Sequence, residues 1–119
     1  MGYVTVKVAI ESVASPIVRR EIELLVDTEA LYSIAPAQTL REMNVRPRDR
    51  EEFELADGRV IERDVGEVRF YYDGKSATSP VIFGEEADAA VLGVVTLESM
   101  GLEVDAARGR IRPLRKILY

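Results

Sequence analysis

The chain has 119 residues, 47% of them apolar, which suffices for one domain with its own core, and it contains neither Cys nor His. That composition excludes disulfides, thiolate and imidazole zinc sites and His-dependent nucleophilic catalysis, and leaves carboxylates, Lys and Tyr for acid–base work. A formal charge of −5, from 21 acidic and 16 basic residues, argues against a nucleic-acid partner over most of the surface.

No apolar run has transmembrane length, and the first residues lack the charged start and apolar centre of a signal peptide. The expectation is a single cytoplasmic domain spanning 1–119, with no membrane partner. Five basic residues near the end (Arg108, Arg110, Arg112, Arg115, Lys116) form the one local basic cluster. Apolar and turn residues separate them, which reads as a solvated or dimer-facing amphipathic tail.

Tyr3 to Glu11 alternates, with Val4, Val6, Val8 and Ile10 on one face, the period of a half-buried strand. Ser12 to Pro16 reads as a turn. Ile17 to Val26 resumes an extended pattern and becomes wholly apolar at Leu24-Leu25-Val26, so this strand is expected to run into the interior, with Asp27 where it emerges. Pro36 is placed to open a short helix through Met43, preceded by Ser33 or Ala35 and stopped by a left-handed Asn44.

Asp57-Gly58, between Phe53 to Ala56 and Arg59 to Ile61, is the strongest hairpin signal in the chain. A second hairpin is expected at Asp73-Gly74, between Val68 to Tyr72 and Lys75 to Phe83. Ala89 to Leu92 reads as a short buried strand ending at Gly93, Thr96 to Met100 as a second helix stopped by Gly101, and Leu102 to Val104 and Arg110 to Leu114 as further extended pieces. Many short strands with two short helices describe an all-β fold, a small barrel or sandwich.

An internal echo accompanies this order. Thr39-Leu40-Arg41-Glu42-Met43-Asn44-Val45 and Thr96-Leu97-Glu98-Ser99-Met100-Gly101-Leu102 share the pattern T-L-x-x-M-(N/G)-apolar, 57 residues apart. Each follows an apolar strand, so a duplicated half with an internal pseudo-two-fold is expected.

Asp27-Thr28 alone is compatible with a capping Asp over the turn at Thr28 to Leu31. Together with the apolar strand before it, Ala30 and Ser33-Ile34 after it, the Pro-led helix, the Asp-Gly hairpin and Val91-Leu92-Gly93 before a second helix, it resembles the retropepsin-like aspartic peptidases, particularly their small prokaryotic single-domain members. The resemblance spans Val4 to Arg112. It implies a small closed β-barrel with two short helices, no cofactor and no metal. Asp27 matches the catalytic Asp, Thr28 the Thr that braces two active-site loops across a dimer, and Ala30 the small residue that follows. Val91-Leu92-Gly93 matches the motif packed beside that loop, and the hairpin around Ala56, Asp57, Gly58 and Arg59 looks like the flap over substrate. Glu29 stands where the family carries Gly.

The resemblance implies an aspartic endopeptidase acting on a peptide or protein substrate. Two carboxylates a few ångströms apart share one proton, so one acts as base toward water while the other polarises the carbonyl. One chain has one Asp in this setting, so a homodimer is expected to pair two copies of Asp27. Glu29, Ala30, Ala56, Asp57 and Gly58 are the expected substrate-binding residues. The terminal segments Gly2 to Val8 and Arg112 to Tyr119, with apolar Ile117-Leu118-Tyr119, are candidates for the rest of the interface. Two alternatives stay open: a catalytically inactive dimer of this fold that binds peptides as a scaffold module, and an unrelated barrel in which Asp27 is a cap.

Overall fold

Strand β1 (Val4–Ser12) and strand β2 (Arg19–Val26) open a computed structural model that describes residues 4–119, so Tyr3 and the start of Gly2 to Val8 lie outside it. There follow β3 (Ser33–Pro36), α1 (Ala37–Glu42), β4 (Asp49–Glu54), β5 (Val60–Tyr72), β6 (Lys75–Gly84), β7 (Val91–Leu92), α2 (Val94–Ser99), β8 (Leu102–Asp105) and β9 (Arg110–Pro113). The protein is mostly β with two short helices, as the sequence pattern requires.

Seven strands pair in the order β1-β2-β7-β3-β6-β5-β4, and β1 also pairs with β5. Strands β8 and β9 form a separate hairpin. The pairings repeat at the spacing of the sequence echo. Leu25 lies opposite Val91 and Val26 opposite Leu92 in parallel β2–β7, while Ile82 lies opposite Ile34 and Phe83 opposite Ala35 in parallel β6–β3, each partner 57 residues from its counterpart. Ile34 and Val91, also 57 apart, pair with each other. Exchanging β1 with β5, β2 with β6 and β3 with β7 therefore leaves the pairings among these six strands unchanged, while β4 pairs with β5 alone.

A six-residue helix has little stability alone, and both helices persist by packing. Leu40 and Met43 of the first repeat, and Leu97 and Met100 of the second, are buried in the core with Ile10, Phe70 and Phe83. Asn44 (φ 62°) and Gly101 (φ 73°) end the two helices in the left-handed conformation, as the sequence predicts.

The structure moves several boundaries. Pro36 is the last residue of β3 and the N-cap of α1, not its first helical residue. Strand β3 was not expected; Ser-Ile-Ala-Pro has no period of its own and is extended because it pairs with β6. Strand β5 runs unbroken through 62–67, and β4 begins at Asp49, because charged residues there alternate on two faces of a long hairpin. Strand β2 begins at Arg19 rather than Ile17, and of Leu24-Leu25-Val26 only Leu24 is fully buried, so the strand still alternates rather than running wholly inside. The second helix starts two residues early, at Val94, and ends at Ser99, with Met100 as its C-cap.

Candidate active site

Asp27 leaves β2 with its backbone N–H donated to the Leu92 carbonyl at 3.1 Å, which extends the β2–β7 pairing by one residue. The chain then turns. Ala30 N–H donates to the Asp27 carbonyl at 3.2 Å, and Glu29 N–H donates to Asp27 Oδ1 at 2.9 Å. Asp27 thus caps a β-turn over 27–30, the local hydrogen bonding that Asp favours. Asp27 is half-buried, while Thr28 and Glu29 are exposed.

Glu29 fits this turn without strain, since Asn44 and Asp73 are the positive-φ non-glycine residues among those described. It supplies to the Asp27 carboxylate the same backbone N–H that a Gly would. Its side chain adds a second carboxylate two residues away, with no ion-pair partner among the described residues.

The loop after Asp27 is held from the other half of the chain. A Cβ on Gly93 would lie 2.6 Å from the Tyr32 carbonyl carbon, 2.7 Å from its oxygen and 2.9 Å from the Leu31 oxygen, all backbone, so only Gly fits. This close approach lets Val94 N–H donate to Ala30 O at 2.9 Å and Val95 N–H to Leu31 O at 3.0 Å. Loop carbonyls therefore satisfy the otherwise unpaired N–H groups that begin α2.

Beneath the loop, three hydroxyls form a buried chain. Ser33 Oγ accepts Gly93 N–H at 2.9 Å and bonds Thr96 Oγ1, which bonds Ser79 Oγ at 2.8 Å. All three side chains are buried, and no buried side-chain polar atom among the described residues lacks a partner. Sequence reading noted Ser33 only as a residue after the Asp27 loop and before the helix, and did not single out Ser79. Each hydroxyl is unremarkable in its own segment, and only Thr96 carried a signal, as the first residue of an echo.

Opposite this loop stands the β4–β5 hairpin. At its tip Gly58 adopts φ 88°, Leu55 N–H donates to Arg59 O at 2.8 Å, and Asp57 accepts both the Arg59 backbone N–H (3.0 Å) and its Nε (2.7 Å). Those bonds, the backbone one foremost, hold the Asp57 carboxyl below its usual range. Asp57 is thus a turn residue.

A cavity of about 300 Å³ separates hairpin from loop, with Ala30, Leu31, Tyr32, Phe53, Leu55 and Ile61 among its walls. Tyr32 meets Phe53 edge-on, ring centroids 6.4 Å apart. Of the expected substrate-binding residues, Ala30 lines this cavity. Ala56, Asp57 and Gly58 sit at the exposed tip and leave the lining to Phe53, Leu55 and Ile61 behind them. One wall carries Arg63, whose Nε and Nη2 donate to both oxygens of Asp88 at 2.7 and 3.1 Å. Their side chains are 15% and 19% exposed, so this pair is largely shielded from water.

The position 57 residues beyond Asp27 is Gly84, which carries no carboxylate. A Cβ there would meet Ile34 Cγ2 at 2.7 Å and Ala35 O at 3.2 Å, so a side chain would require Ile34 to shift. The second half of the chain therefore does not provide a carboxylate at the position equivalent to Asp27. Among the described residues no three acidic side chains are grouped to hold a metal ion, and no helix is long and apolar enough to cross a membrane. No protein-family model matches this chain, and no curated protein matches it.

Proposed function

We propose that this chain is one subunit of a retropepsin-like aspartic endopeptidase, its paired strands forming a small closed barrel and its active site assembled from Asp27 of two copies in a homodimer. The observation that carries the reading is Asp27 itself: a half-buried carboxylate without an ion-pair partner among the described residues, fixed by backbone hydrogen bonds in a loop that faces a hairpin across an apolar cavity. The absence of a carboxylate at Gly84, the equivalent position of the second half, supports a second carboxylate arriving from another copy.

In the proposed site one Asp27 is ionised and its partner protonated, because two adjacent carboxylates do not readily both ionise. The ionised group takes a proton from water as the water oxygen bonds to the peptide carbonyl carbon. The protonated group donates its hydrogen bond to the carbonyl oxygen, and proton return to the amide nitrogen lets the C–N bond break. Each Asp27 is oriented by the Glu29 N–H, and in the proposed dimer the exposed Thr28 beside it braces the second loop. The β4–β5 hairpin acts as the flap, and the cavity behind its tip receives one substrate side chain.

A second reading, a groove that binds peptide without cleaving it, is favoured by the Glu29 carboxylate, which would bring two more negative charges toward the two-fold axis. One experiment separates the two. Cleavage of an unfolded protein is followed between about pH 3 and 7, where carboxylate pairs titrate. The expected result is activity that falls about 10²- to 10⁴-fold in Asp27→Asn with the unfolding midpoint unchanged. Equal cleavage by parent and variant overturns the assignment, and a silent parent that still binds peptide supports the second reading.

A further inference from the structure

The acidic residues are not spread evenly. Segments 27–32, 49–64 and 85–88, which contribute most of the walls of the cavity between loop and hairpin, hold twelve carboxylates and three arginines, a formal −9 in a chain whose total is −5. The remaining surface is therefore net positive. Negative charge is concentrated in the segments that build the cleft, on both faces of the hairpin.

All three arginines of this face are already engaged. Arg50 bonds Glu62 and Asp64, Arg59 bonds Asp57, and Arg63 bonds Asp88 and lies 3.4 Å from Glu85. Asp27, Glu29, Glu51, Glu52 and Glu54 have no cation within 4.0 Å among the described residues. Crowding is felt at Glu51, whose carboxyl is raised above its usual range by desolvation and then by Asp49. Glu54 borders the cavity, and Leu31, also in its wall, is 63% exposed. An apolar pocket thus has Glu54, without a counter-charge among the described residues, in its wall, with Glu51 and Glu52 on the same strand.

We infer that the cleft selects extended peptides that place an apolar side chain in the cavity and carry Lys or Arg on either side of it. This rests on the proposed peptide site and adds its substrate class. The apolar anchor supplies burial; the flanking cations relieve mutual repulsion among Glu51, Glu52 and Glu54 and reject acidic segments, which is how charge complementarity sets specificity.

The test uses the full chain as Asp27→Asn, so that bound peptide persists. Three eight-residue probes are titrated at about 50 mM salt: Lys-flanked Leu-Phe, Glu-flanked Leu-Phe, and Lys-flanked Ser-Ser. Affinity is read by calorimetry and location by amide chemical shifts. The expected result is that the first probe binds about 10-fold or more tighter than either other and shifts Leu31, Tyr32, Phe53 and Ile61. The preference over the Glu-flanked probe shrinks at about 500 mM salt, where exposed charges are screened, and reverses in a Glu52→Lys, Glu54→Lys variant, both residues being exposed on β4.

Equal binding of the Lys- and Glu-flanked probes in the cleft overturns the charge preference and leaves the peptide site standing. Equal binding of the Ser-Ser probe overturns the anchor. No binding by any probe overturns both this inference and the site on which it rests.

Discussion

The two halves of the chain share strand order, the register of their parallel strand pairs and helix stops, yet treat their loop carboxylates in opposite ways. After β2, Asp27 receives only a backbone N–H and faces no cation among the described residues. After β6, Asp88 closes a similar turn, its Oδ2 accepting Glu85 N–H at 2.7 Å, but it also takes two hydrogen bonds from Arg63. One carboxylate is left without a counter-charge and the other is tied into the fold. The difference teaches that equivalent loops of a repeat need not share a role: an ion pair with satisfied geometry is a structural device, and the proposed site uses the loop whose carboxylate has no such pair.

The largest expected effect tests what joins the halves. Gly93→Ala should cost about 3 kcal/mol or more, because its Cβ meets backbone atoms that cannot rotate away. Gly58→Ala, with nothing within 4 Å of the added Cβ and only a positive φ to resist it, should cost about 1 kcal/mol. Urea unfolding of both variants checks this, and equal costs would show that the loop yields to Gly93.

Next comes the tied carboxylate. Hydrogen bonds from Arg63 hold the Asp88 carboxyl below its ordinary range, against desolvation and with help from Glu85 N–H. A carboxyl whose folded pKa lies below its unfolded value of about 4 stabilises fully above that pH and loses the stabilisation as pH falls through the folded value. Asp88→Asn should therefore cost about 1 to 2 kcal/mol at pH 7, and the gap to the parent should narrow below about pH 4. A gap independent of pH would break the comparison between the two loops.

The smallest effect concerns Glu29. Since its backbone is not left-handed, Glu29→Gly should lose about 0.5 to 1 kcal/mol through greater freedom of the unfolded chain, rather than gain the 1 to 2 kcal/mol that relief of left-handed strain would return. Thermal unfolding decides between the two signs. A gain in stability would mean that the Asp27 turn is held under strain.

Local chemistry made much of the molecule legible. Asn44, Gly101, Asp57-Gly58 and Asp73-Gly74 announced their turns because left-handed backbone and tight hairpins admit few residue types. The 57-residue echo announced the repeat because each copy must bury the same Leu and Met against one core. Asp27 stood out because an apolar strand ends on it.

Other features had no local signature. Strand β3 exists because β6 and β7 lie on either side of it. The Ser33, Thr96 and Ser79 chain joins residues separated by 63 and 17 positions. The cavity walls come from β3, β4, β5, β6 and three loops, so the expected tip residues Ala56, Asp57 and Gly58 gave way to Phe53, Leu55 and Ile61.

By itself, then, the sequence determined the strand-rich class, the stops, the repeat and the prominence of Asp27, all properties set by side-chain period and backbone freedom within a few residues. Only the tertiary structure decided that Glu29 sits unstrained with its N–H on Asp27, that Gly84 packs closely against Ile34 and Ala35, and that Arg63 holds Asp88 while no cation among the described residues holds Asp27. Those outcomes depend on distances between segments far apart in the chain, which packing alone sets.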